Sequence, residues 1–383
     1  MYKFTFRFFL FIAAPLLGGS CASTKSTTQP VANISHVKFL SAYDIPFNLK
    51  YNYTTIGGLS GIDYDAKNNL YYLISDDRSE KNPARFYTAK IFLTQHGIDS
   101  LIFIGVKNML QPNGKTFPNS RQDRYHTPDP EANRYNPNTS LLVWSSEGER
   151  IVTEKDTVLV NPSIIFIKPS GVYIDSFVLP QNMHISAAEK GPRRNGVFEG
   201  MTFADNFTTL YVSVEEPLYE DGPRADVFDN NAFIRILKFD VAAKKNIAQY
   251  GYKLEPVAYA ATPQTAFKIN GVPDILSIGN NKFLIIERSF SSGRLPCTIK
   301  LFIADLGDAT DISNVTLKGN TAFIPAKKTL LLNMEDLGIY TDNIEGLTFG
   351  PHLPNGHKTL LFIADNNFSA VEKTQVLLFE VVE

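Results

Sequence analysis

Short runs of Val, Ile, Leu, Phe and Tyr recur along this chain, and clusters of Asn, Asp, Gly and Pro separate them. These are the signals of strands and of the turns between them. Five times an acidic or small polar residue opens such a run: Ser60-Gly61-Ile62, Glu131-Ala132-Asn133, Glu199-Gly200-Met201, Asp274-Ile275-Leu276 and Glu345-Gly346-Leu347. The differences between successive opening positions are 71, 68, 75 and 71 residues. A period this steady marks a repeat architecture.

Each unit offers four strands. They fall at 59–64, 70–75, 86–93 and 101–106 in the first unit and at 132–135, 140–145, 164–167 and 172–178 in the second. The third places them at 200–203, 209–214, 232–239 and 246–254, and the fourth at 275–278, 282–286, 298–304 and 321–324. The fifth has 346–349, 359–364 and 376–382 and is one strand short, while 36–43 precedes the first unit unpaired. The pattern therefore predicts an all-β fold: a single propeller of five four-stranded blades, its ring closed by the N-terminal strand. Six blades is the alternative, because the long segments 107–130 and 305–335 have room for further strands. Only 334–337 reads as helical, and it is short.

The N-terminus changes the picture of where the chain works. Lys3 and Arg7 precede the apolar run Phe8–Leu17, and then Gly18-Gly19-Ser20-Cys21-Ala22 follows. This is the layout of a secretory signal, with Cys21 where a lipoprotein signal places its acylated cysteine. The expected organisation is a leader at 1–21, a flexible tether at 22–35 and a propeller at 36–383, exported to the periplasm or outer membrane. Membrane attachment is expected only through the lipid, and the domain is expected to be monomeric. One further cysteine, Cys297, lies beside an apolar strand and reads as a packed thiol. The chain has 37 basic against 39 acidic side chains, with no basic run, so nucleic acid has no electrostatic foothold.

The repeat also aims chemistry at one place. In a four-stranded blade the first strand leaves one face and the second returns to it. Strand starts bring Glu131, Glu199, Asp274 and Glu345 to that mouth; second-strand ends bring Asp76-Asp77, Glu147, Glu215-Glu216, Glu287 and Asp365. So many carboxylates repel one another unless protonated, solvated or bound to a cation. Oxygen ligands without His or Cys point to Ca²⁺. The metal set read from the sequence is Asp76, Glu131, Glu199, Glu287, Glu345 and Asp365. Arg78, Arg85 and Arg288 stand beside the acidic ends and are candidate clamps for a substrate phosphate. Each has a plainer reading: the glutamates as backbone acceptors at blade joints, the aspartates as turn caps, the arginines as partners of adjacent acids. His126 and His184 read as solvated loop residues. No nucleophile elbow, phosphate loop, dinucleotide fingerprint or zinc motif is present.

Four stretches carry a resemblance: 58–77 (GLSGIDYDAKNNLYYLISDD), 197–217 (VFEGMTFADNFTTLYVSVEEP), 283–290 (FLIIERSF) and 343–368 (NIEGLTFGPHLPNGHKTLLFIADNNF). With them the chain resembles the phytase-like family, "esterase-like activity of phytase", from about residue 37 to 383. That resemblance implies a secreted β-propeller and a metal-dependent phosphoesterase or esterase. From the acidic mouth itself, Glu199 and Glu345 are the expected catalytic carboxylates, and a small phosphate or other ester is the expected substrate. Two departures stand out. Ser60 occupies the first glutamate position, and five blades are counted where propeller phytases have six. A non-enzymatic ligand- or protein-binding propeller with a structural cation is the competing expectation.

Overall fold

The computed structural model describes residues 1–3, 33–320 and 322–383. Most of the expected leader and tether, with Cys21, lies outside them. From inner to outer strand, blade 1 is Leu59–Asp65, Leu70–Ser75, Arg85–Thr94 and Gly97–Asn108. Blade 2 is Pro130–Asn136, Leu141–Ser146, Ser163–Ile167 and Tyr173–Ser176; blade 3 is Phe198–Ala204, Thr209–Val214, Phe233–Asp240 and Lys245–Lys253. Blade 4 runs Ile275–Gly279, Lys282–Ser291, Thr298–Asp305 and Lys327–Asn333. Blade 5 takes Asn343–Phe349, Thr359–Asp365 and Thr374–Val382, and His36–Ile45 completes it. That strand pairs antiparallel with Thr374–Val382, from His36 opposite Val382 to Ile45 opposite Thr374.

The near-continuous apolarity of the runs has a simple cause. Side chains alternate between faces of a strand, and both faces of each inner blade are covered by neighbours. In blade 1, Leu73 packs toward blade 5 while Tyr72 and Ile74 pack toward blade 2. In blade 5, Leu360 and Phe362 face blade 4, and Leu361 and Ile363 face blade 1. The core is thus five clusters, one at each joint between blades.

Three details correct the reading from sequence. The outer strand of blade 4 is Lys327–Asn333; the run expected at 321–324 is not in a strand at its described residues 322–324. The earlier stretch is apolar because Phe323 packs edge-on against Phe233, at 5.2 Å between ring centres, rather than because it pairs. A hairpin, Glu149–Val152 with Thr157–Val160, grows out of blade 2, and Lys268–Gly271 adds to the far end of Lys282–Ser291. Both elements sit at the mouth end of the ring. The segments 107–130 and 305–335 supply no sixth blade; the first holds an isolated bridge and the one-turn helix Ser120–Asp123.

At the axis lies one ion pair that touches every blade. Arg134 of blade 2 meets both oxygens of Asp274, at 2.8 and 2.6 Å, at the entry to the inner strand of blade 4. The guanidinium also donates to the carbonyls of Ile62 in blade 1 and Met201 in blade 3. Asp274 accepts from the N–H of Leu347 in blade 5 at 2.9 Å. Both side chains are buried. Full satisfaction is what lets such a pair persist at low dielectric.

Candidate functional site

Four of the five inner strands carry a β-bulge where they enter the mouth. The register shifts fall between Leu59 and Gly61, Pro130 and Asn133, Phe198 and Met201, and Ile344 and Gly346. A bulge re-aims one side chain, and here the residues concerned are Ser60, Glu131, Glu199 and Glu345. The glycine that follows the glutamate has a steric reason. A Cβ on Gly200 would lie 2.5 Å from the Cα of Asp274, and one on Gly346 would lie 2.9 Å from the carbonyl oxygen of Ser60. The next blade's backbone passes too close for any side chain. Blade 4 has no bulge at this level, and its Asp274 turns down the axis to Arg134 instead.

The carboxylates converge. One oxygen each of Asp76, Asp129 and Glu131 lies within 4.8 Å of the others, and the same holds for Glu131, Glu147 and Glu199. Glu131 belongs to both groups. Asp76, Glu131 and Glu199 have no side-chain hydrogen bond from any described residue. Glu147 accepts from the N–H of Val197, and Asp365 from that of Asn367 at 2.8 Å. Burial, then the crowding of like charges, holds the carboxyls of Asp76, Glu131, Glu147, Glu199 and Asp365 well above the ordinary range. Asp129 is pushed up to about 6 by burial, against the pull of Arg78.

One side of this ring already contains a cation. Arg288 donates to Glu215 at 2.6 Å, to Asn343 at 2.6 Å and to Glu345. Burial raises the carboxyl of Glu345, and Arg288 draws it back. The mouth therefore divides into an arginine-filled half at Glu215 and Glu345 and an unfilled half around Glu131. Further arginines stand above it. Arg78 lies 3.3 Å from Asp129 and 2.9 Å from Glu149; Arg194 lies 2.9 Å from Glu149; Arg224 lies 2.7 Å from Glu216.

Two residues expected at the site are withdrawn from it. Glu287 shares a strand with Arg288 but points to the opposite face, as strand alternation requires. There it accepts from the Tyr252 hydroxyl (2.7 Å), the Asn270 amide (2.7 Å), Lys328 (2.6 Å) and the Glu255 N–H (2.9 Å). Arg85 is fully buried beneath the mouth, paired with Asp77 at 2.7 Å and donating to the Thr55 carbonyl and the Tyr87 hydroxyl. It has no path to a substrate. Asp129, Glu147, Glu215 and Asn343 belong to the ring but were not in the expected ligand set. Proximity to the repeat positions Glu131, Ser146, Val214 and Glu345 was the available signal. His126 is an exposed partner of Asp123 at 2.8 Å. Cys297 is buried, its thiol pushed up to about 11 by burial.

Comparison with curated proteins finds no match. Among solved structures, the chain superposes on an exo-β-1,3-galactanase from Phanerochaete chrysosporium with 13% identity and a TM-score of 0.45, covering 90% of this chain and 67% of that one. A periplasmic gluconolactonase from Pseudomonas aeruginosa gives 11% identity and a TM-score of 0.37, covering 86% and 90%. The chain spans 57% of the length of a GH43_12 structure from a capybara gut metagenome, at 14% identity and a TM-score of 0.42. At these identities and scores the superpositions add nothing about chemistry. The family description is different in kind, because it matches residues 54–368, nearly the whole ring. The chain belongs to the phytase-like family, described as "esterase-like activity of phytase".

Proposed function

We propose that the acidic mouth holds Ca²⁺ and hydrolyses a phosphate ester. The observation that carries this reading is the pair of carboxylate clusters joined at Glu131, Asp76–Asp129–Glu131 and Glu131–Glu147–Glu199, in which no described residue hydrogen-bonds the side chains of Asp76, Glu131 or Glu199. The donor set is all oxygen, which fits a hard cation with flexible geometry. Asp76, Asp129, Glu131, Glu147 and Glu199 would hold it, with Asp365 and Glu345 at the margin. When bound, calcium neutralises substrate oxygens and acidifies a coordinated water.

The chain's own groups then divide the work. Glu199 has no competing hydrogen bond and a carboxyl held above its ordinary range, so it is suited to take a proton. Glu345, oriented by Arg288 and Asn343, is the second catalytic carboxylate. Arg288 and Arg78 meet substrate oxygens from within the mouth, and Arg194 and Arg224 extend positive charge outward over it. The domain works as an exported monomer, tethered through a lipid on Cys21; Cys21→Ala would release it from membranes in a fractionation assay.

Purified protein assayed with and without chelator on phytate, p-nitrophenyl phosphate and p-nitrophenyl acetate tests the reading. Calcium-dependent phosphate release that Glu199→Gln abolishes supports it. Turnover indifferent to chelator or to that substitution would sink it. Thermal destabilisation by chelator with no turnover on any substrate assigns the ion to stapling a binding propeller instead.

A further inference from the structure

At the opposite end of the channel, the inner strands and their hairpin turns enclose a cavity of about 690 Å³. Arg134 forms part of its floor, between the cavity and the acidic mouth. Arg134 is matched by Asp274, and all three of its guanidinium nitrogens donate to protein acceptors, so it has nothing left for a neighbour. Two carboxylates line the space. Asp65 is consumed by its own turn, accepting from the N–H groups of Lys67 and Asn68 at 3.0 and 3.3 Å and from the Asn68 amide at 2.6 Å. Among the described residues, Asp63 accepts side-chain hydrogen bonds from the N–H of Tyr135 at 2.7 Å and from the Thr348 hydroxyl at 3.2 Å. Acceptor capacity remains on the carboxylate, and the side chain is half-buried against the cavity. Burial raises its carboxyl despite the nearby Arg134.

The walls around Asp63 are apolar and aromatic: Tyr64, Tyr135, Phe203, Leu276 and Phe349. Lys67, in an exposed turn, and Lys358 line the same cavity and add positive charge at its margin. A partly desolvated carboxylate among aromatic rings is stabilised by a cation that brings its own apolar surface. Cationic residues at the margin disfavour a ligand with positive charge at both ends.

We propose that this cavity binds a single ammonium group carried on an apolar body, with Asp63 as its counter-ion. The site is separate from the acidic mouth and does not depend on the hydrolase reading. Isothermal titration of the full chain, run in parallel on the parent and on Asp63→Asn so that any binding at the acidic mouth is common to both and subtracts out, tests it. The probes are hexylammonium, hexan-1-ol, hexanoate and hexane-1,6-diammonium. Hexylammonium is expected to bind once per chain, about tenfold or more tighter than hexan-1-ol or hexanoate, and tighter than the diammonium. Asp63→Asn keeps an oxygen for the Tyr135 N–H and should lower hexylammonium affinity about tenfold or more, leaving hexan-1-ol unchanged. Phe203→Ala leaves Asp63 in place and should weaken hexylammonium several-fold, which keeps the proposal testable if Asp63→Asn does not fold. Equal affinity for hexan-1-ol and hexylammonium, tighter binding of hexanoate or the diammonium, or hexylammonium binding that survives Asp63→Asn would each overturn it.

Discussion

The same five inner strands end in two unlike chambers. At one end, four of them bulge and deliver Ser60, Glu131, Glu199 and Glu345 into a crowd of acids. At the other they turn into hairpins, only blade 4 being irregular there, between Ser277 and Gly279, and a lone open carboxylate, Asp63, sits among aromatic rings. Between them the Arg134–Asp274 pair joins every blade. Strand direction sorts the chemistry. Residues that open a strand gather with those that end the next, whereas residues near the turns gather on the far side, and three positions along an inner strand separate the mouth residues Ser60, Glu131, Glu199 and Glu345 from the cavity residues Asp63, Arg134, Thr202 and Thr348.

The strongest way to break the contrast is to remove what the chambers share. Arg134→Met should cost about 3–5 kcal/mol in denaturant unfolding, because it leaves Asp274 buried and unpaired. Ligand binding should fail at both ends, and adding Asp274→Leu should restore much of the lost stability. If either chamber keeps its affinity in the single variant, the hub is not common to both.

The next largest effect should be confined to one end. Glu199→Gln, at the proton acceptor, and Glu131→Gln, at a residue that would hold calcium, are each expected to lower phosphate-ester turnover about 100-fold or more. In chelator, the same variants should melt higher than the parent, since a neutral amide removes repulsion among Asp76, Glu131, Glu147 and Glu199. Binding at the Asp63 cavity should not change.

A pH series sharpens the comparison further. The mouth carboxyls are raised in the folded state, so that state binds more protons than the unfolded chain, and stability falls as pH rises. Chelated protein should therefore lose stability as pH climbs from near 4.5, the ordinary value for Glu131 and Glu199, through their raised folded values. Calcium requires the ionised forms. Its stabilisation, about 3 kcal/mol at a hundredfold excess over Kd, should appear above that window and fade below it. Melting curves at about pH 5 and pH 8, with and without calcium, check the sign.

The smallest effect should come from Glu287→Gln. It weakens the bonds to Lys328 and Tyr252 and should cost about 1–3 kcal/mol. Calcium affinity and turnover should stay at parental values, in contrast with its namesakes at the mouth.

The ring and its mouth were legible because both ride on a period. Spacing located Glu131, Glu199 and Glu345, and the acid-rich strand ends located Asp76 and Asp365. Alternation was harder to read. Glu287 and Arg288 are neighbours in sequence, and only the register of Lys282–Ser291 decides which of them faces the mouth. Asp274 aligned with the glutamates by spacing, yet blade 4 lacks the entry bulge, and that single missing residue of slack sends the carboxylate down the axis. The Asp63 cavity carries no motif. Its parts come from five separate blades, each looking like an ordinary strand end, and they meet only after closure.

Closure itself has a consequence for how the molecule is made. His36–Ile45 is synthesised first among the blade strands but finds its partner, Thr374–Val382, only when the final segment emerges. Until the two meet, each presents a bare pairing edge, and the complementary strand of a second copy fits it as well as the chain's own does. Refolding at high concentration should therefore yield interlocked dimers in which two chains trade their opening strands, while dilution favours self-sealed rings.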